Sequence, residues 1–159
     1  MSLGAQIRKM SPGSFQIAAR PFTAGDFGAL GAVNLFTITG PIVVEGFFGI
    51  VTVVMAGATT IALNLTGTLG AVAAPVAVAT ASLDADEVGT IYTLAGGVAA
   101  ALTVQQTAAR GVGVYSITNR QAWIPGVLNM VIGGAVNTGQ VDWFLQYRPC
   151  TPQARAVPA

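Results

Sequence analysis

Two stretches of this chain alternate apolar and polar residues with a period of two. Over residues 59–66, Thr59, Ile61, Leu63 and Leu65 fall on one side, and Thr60, Ala62, Asn64 and Thr66 on the other. Over residues 141–148, Val141, Trp143, Leu145 and Tyr147 face one way, and Asp142, Phe144, Gln146 and Arg148 the other. Successive side chains of a strand point to opposite faces, so both stretches predict half-buried strands. Further β-rich runs surround them. Leu35–Thr39 is bent by Gly40 and Pro41 and continued by Ile42–Glu45, and Phe47–Met55 reads as a separate run. Val76–Ser82, Thr90–Leu94, Val112–Thr118, Gln121–Ile124 and Val127–Ile132 follow as strands. An alanine helix over 69–81 is opposed by Pro75, which would kink or cap it. Pro125-Gly126 and Asn137-Thr138-Gly139 mark turns. Short strands at roughly 8–12-residue spacing predict an all-β fold, an antiparallel β-sandwich or a jelly-roll-like barrel.

The first 33 residues have a different texture. Pro12, Gly13, Pro21, Gly25, Gly28 and Gly31 punctuate them, while Phe15, Ile17, Phe22, Phe27 and Leu30 are scattered at irregular spacing. Disordered tails rarely hold that many large apolar groups, so this arm orders against its own domain or a neighbouring subunit. The expected organisation is an extended N-terminal arm at 1–33, a β-sandwich domain at 34–149 and a C-terminal tail at 150–159. Pro149, Pro152 and Pro158 are expected to end regular structure in that tail.

Charge changes the picture. Residues 46–83 carry no charged side chain, and charged residues make up 8% of the chain. An average soluble domain has about 25%. Seven basic and six acidic residues leave a net charge of +1. A surface this weakly charged is poorly protected from self-association, which implies that much of it is meant to be covered. The balance argues against nucleic acid, whose binders cluster Lys and Arg to displace counterions. Residues 46–66 are long enough to span a bilayer, yet Gly46, Gly49, Gly57 and internal threonines suit strands better than a helix. No aromatic or basic belt flanks them, so no membrane partner is expected. The lone Cys150 precludes an internal disulfide and fits synthesis in a reducing cytoplasm. No apolar h-region follows the basic residues near the start.

Candidate chemistry is sparse. The chain has no histidine, which removes the usual base for a serine or cysteine nucleophile, Cys150 included. Asp84, Asp86 and Glu87 form the one acidic cluster, but lack the ordered ligands of an EF-hand loop and read as a solvated turn. Asp26, Glu45 and Asp142 are isolated in sequence, with nothing to mark a raised-pKa acid. The pairs Gly96-Gly97 and Gly111/Gly113 lack the lysine of a phosphate loop. Neither a metal nor any other cofactor is expected, and no enzymatic activity.

Three segments carry a resemblance. They are LFTITGPIVVEGFFGIVTVV at 35–54, EVGTIYTLAGGVAAAL at 87–102 and NTGQVDWFLQYRP at 137–149. In texture the chain resembles small virion structural proteins of tailed bacteriophages, head decoration (cement) proteins in particular. The closing strand is similar to that family's ending, in which Gly-x-Val/Ile precedes Trp-x-Leu-x-Tyr-x-Pro. The resemblance implies a non-catalytic β-sandwich or jelly-roll-like domain made in the host cytoplasm. It would bind the major capsid protein on the capsid exterior, as a homotrimer. Arg8, Phe15, Arg20, Phe22 and Phe27 are then the arm residues expected to clasp neighbouring subunits. Arg110, Arg120 and Arg148, with Arg8 and Arg20, are candidate rim contacts to an acidic shell surface. A tail, baseplate or receptor-binding component fits the same texture. A third reading is a carbohydrate-binding jelly roll with Trp123, Trp143 or Tyr147 as its stacking platform, against a core role for the same aromatics.

Overall fold

The structure is a computed structural model, and it describes residues 14–70, 73–94, 97–105 and 120–159. These residues form eleven strands and no helix: β1 Gln16–Arg20, β2 Gly31–Ile38, β3 Ile42–Val53, β4 Thr59–Gly67, β5 Ala73–Ala77, β6 Ile91–Thr93, β7 Thr103–Gln105, β8 Gln121–Trp123, β9 Gly126–Gly134, β10 Gln140–Pro149 and β11 Ala156–Pro158. The predicted strand at Val112–Thr118 lies outside the described residues. All pairings are antiparallel. Sheet A runs β1-β10-β3-β6-β7, with β8 also on β3; sheet B runs β11-β2-β9-β4-β5. The two sheets face each other as an unclosed sandwich, which bears out the all-β sandwich expectation and not a closed barrel.

The alternation in β4 and β10 is realised residue by residue. In both strands the predicted apolar set is buried and the other set is partly exposed. From sheet B, Phe36 meets Phe47 of sheet A edge-on at 6.4 Å between ring centroids. Phe47 stacks on Trp143 at 5.1 Å, and Tyr92 lies tilted against the same indole. This aromatic seam closes the space between the sheets, with each fully buried large side chain worth about 1.5–3 kcal/mol of transfer free energy.

Three departures from the predicted strands share one cause. Ile42–Glu45 and Phe47–Met55 are one strand, because Glu45 is an extra residue in the β3–β10 ladder: Gln146 pairs with Gly46 and Tyr147 with Val44. The bulge shifts which residues face inward, from Ile42 and Val44 before it to Phe47 and Val51 after it. A period-two reading breaks there. Leu35 in β2 and Val76 in β5 sit at similar irregularities, which bury Leu35 beside Phe36 and Val76 beside Ala77. Gly49, within the predicted run Phe47–Met55, pairs with Trp143 in mid-strand. A Cβ there would come within 2.6 Å of the Trp143 ring, so only glycine lets the indole lie across β3. Pro75 was expected ahead of its strand and instead lies inside β5, an edge strand where a missing N–H is tolerated.

Both flanks join the sandwich. Gln16–Arg20 pairs with Trp143–Tyr147, and Ala156–Pro158 pairs with Phe36–Ile38. So the described part of the predicted arm orders against its own domain, and the proline-rich tail includes a strand where regular structure was expected to end. The Tyr147 hydroxyl fastens this corner: it donates to Gln16 Oε1 at 2.7 Å and accepts from the Ala156 N–H at 3.0 Å.

Candidate functional site

The five expected arm contacts separate in the structure. Arg8 lies outside the described residues, as does Arg110. Arg20 is only 4% exposed and is held by both oxygens of the buried Asp26, Nη1 to Oδ2 at 2.7 Å and Nη2 to Oδ1 at 2.9 Å. The Thr23 N–H also donates to that carboxylate. Arg20 is therefore a structural clamp between β1 and the following turn, not a rim contact. Phe27 is buried in the core and Phe22 is half-buried against it. Only Phe15 of the described set presents a largely open ring, at 47% exposure.

Phe15 leads to a cluster on the outer face of sheet A. The Arg148 guanidinium lies 5.5 Å from its ring centroid, a cation–π distance. Glu45, projected by the β3 bulge, meets two arginines: Arg120 Nε at 2.9 Å from Oε2 and Arg148 Nε at 2.9 Å from Oε1. The Arg148 contact is a charge pairing without hydrogen-bond alignment. Both guanidinium groups are well exposed, so each pairing is worth at most about 1 kcal/mol. Beside this cluster Phe144 stacks on Phe48 at 4.9 Å, and Ile17 is exposed on β1. Sequence reading missed this grouping because the bulge that aims Glu45 has no marker in the sequence except Glu45-Gly46 itself.

The outer face of sheet B has the opposite character. None of the residues in β2, β4, β5, β9 and β11 is charged. The register sets them in rows across the sheet: Asn34, Asn129 and Asn64; Thr37, Val127 and Thr66; Ala32, Val131 and Ala62. Asn129 Nδ2 donates to Asn34 Oδ1 at 3.3 Å, while Asn129 Oδ1 is enclosed without a partner. The side chains are short, so the face is flat.

An apolar cavity of about 470 Å³ opens between the β4–β5 hairpin and β8, with Leu65, Leu69, Val76, Val98, Trp123 and Ile124 in its wall. Gln121 also lines it and accepts a hydrogen bond from Trp123 Nε1 at 2.9 Å. The suggested sugar platform is not on the surface: Trp143 is fully buried, and Trp123 and Tyr147 are each 3% exposed. The acidic cluster is a turn, as expected, but not wholly a solvated one. Asp86 is buried and accepts the Tyr92 hydroxyl at 2.7 Å. Burial pushes the Asp86 carboxyl above its ordinary range, and the bond from Tyr92 pulls against that. The Tyr92 phenol is itself raised by burial, then by the hydrogen bond and charge of Asp86. Among the described residues no three His, Cys, Asp or Glu side chains gather as metal ligands, and no helix is long and apolar enough to cross a membrane.

No protein-family model, no curated protein and no solved structure matches this chain.

Proposed function

We propose that this chain is a non-catalytic virion structural protein, a decoration protein that binds the outer head lattice of a tailed phage and stabilises it, working as a homotrimer on the major capsid protein. One observation carries the reading: an entire sheet of the sandwich presents an outer face without a single charged residue. A flat, uncharged face of that extent on a free-standing domain invites association, and such faces mark contact surfaces. The textural resemblance of residues 35–54, 87–102 and 137–149 to phage head decoration proteins supplies the kind of assembly. The mechanism is additive. Interfaces of about 800 Å² per partner, each of modest affinity, reinforce a shell when repeated over a lattice.

The test is the composition of the purified source particle. Mass spectrometry and cryo-electron microscopy are expected to find the chain on the head in hundreds of copies. A few copies confined to the tail would replace the decoration role with a tail component, and absence from the particle would end the proposal.

A further inference from the structure

The uncharged face also points to what covers it. We infer that the outer face of sheet B is the contact between sister copies of this chain. The inference rests on the assembly reading above and adds to its trimer a second, two-fold contact, since a face laid on its own copy is self-complementary.

Three features carry it. The first is charge. A charged partner surface laid on β2, β9 and β4 would lose its water and gain no counter-charge, which is costly. The occupant must therefore be as uncharged as the face itself, and this chain carries such a surface in every copy. The second is size. The central strands have 8, 9 and 9 residues. At about 3.3 Å per residue and 4.8 Å between strands, the five strands of the sheet present roughly 500–600 Å² of flat area. The accessible surface of the pleated face is larger than its projection, which brings it near the ~800 Å² per partner of a stable interface. The third is relief. Outward positions are Thr, Ala, Val, Asn and Gly, short enough for another backbone to approach closely. The Asn34–Asn129–Asn64 row crosses the middle of the face. It brings amide donors and acceptors to a surface that would otherwise bind by shape alone.

The experiment measures the mass of the purified full chain by light scattering across a concentration series. Wild type is expected at an even multiple of 16.1 kDa. Val131→Lys and Thr66→Lys each place a cation on the face, in different rows, and are expected to weaken association by about 100-fold or more, because desolvated or juxtaposed like charges are strongly unfavourable. Ala19→Lys, on the outer side of β1 in sheet A, is expected to keep the wild-type mass. Hydroxyl-radical footprinting of unmodified protein supplies a reading that needs no variant: Val127 and Val131 are expected to be protected at high concentration and labelled on dilution. A monomeric wild type overturns the inference, as does wild-type mass in both lysine variants with their β circular dichroism intact. Either outcome leaves particle composition untouched, so failure here is distinguishable from failure of the decoration role.

Discussion

Sheet A and sheet B share one core but treat their outer surfaces differently. Among the described residues, sheet A holds every charged residue found in a strand: Arg20, Glu45, Asp142 and Arg148. Each has a defined partner, Asp26 for Arg20, two arginines for Glu45 and the Phe22 N–H for Asp142. Sheet B has none, and its outer face is built from short side chains in register. In sheet A, charge fixes local geometry: it clamps β1, projects from a bulge and caps a chain reversal. In sheet B, regularity replaces charge, and nothing on the face rejects a like surface. The lesson is that a low overall charge is not spread evenly. It is concentrated where it holds the fold and absent from the strands of sheet B.

The sharpest way to break this contrast is to remove one partner of the buried pair in sheet A. Asp26→Ala strands the Arg20 guanidinium inside, and a loss of about 3–5 kcal/mol is expected, read as a fall of roughly 10 °C in Tm. The double replacement Arg20→Met with Asp26→Leu is expected to recover most of that, since a buried pair exchanged for apolar groups is often near neutral. Asn137→Ala comes next. Its Oδ1 accepts from the Ala56 and Gly139 N–H groups, and its Nδ2 donates to the Gly57 carbonyl and Thr59 Oγ1. Two stranded N–H groups predict a loss of about 2–3 kcal/mol in chemical denaturation.

Asp86 gives a smaller effect with a definite sign. Its carboxyl holds a proton more tightly in the folded chain than in the unfolded one. That preference stabilises fully below the unfolded value and is lost as pH rises through the folded value. Asp86→Asn is therefore expected to raise Tm at pH 7 and to flatten the decline seen as pH rises from about 4. A steeper decline in the variant would show the opposite sign. The smallest effect belongs to sheet B. Thr60→Lys is expected to change the stability of dilute protein by less than about 0.5 kcal/mol, because an outward lysine costs a lone domain little. A loss as large as that of Asp26→Ala would mean that the face is structural in the single chain, and the contrast between the sheets would fall.

The sequence exposed what alternates. The inward and outward sets of β4 and β10 were legible because each strand keeps one phase along its length. The bulges at Leu35, Glu45 and Val76 were not, since an inserted residue changes the phase without changing composition. Arg20 read as a surface charge because its partner, Asp26, is six residues away across a turn that no periodicity reveals. Asp86 read as solvated for a similar reason: its hydrogen-bond partner, Tyr92, lies in the next strand. The uncharged run at 46–83 was legible in the sequence. The uncharged face of sheet B was not, because its rows bring β2, β9 and β4 together from distant segments.

The corner at Tyr147 has a consequence for synthesis. Gln16 lies opposite Tyr147, so β1 has no ladder to join until a segment 131 residues further along the chain has been made. Ala18, buried once β1 is in place, stays open to water through that interval, and pairing over such a separation is slow.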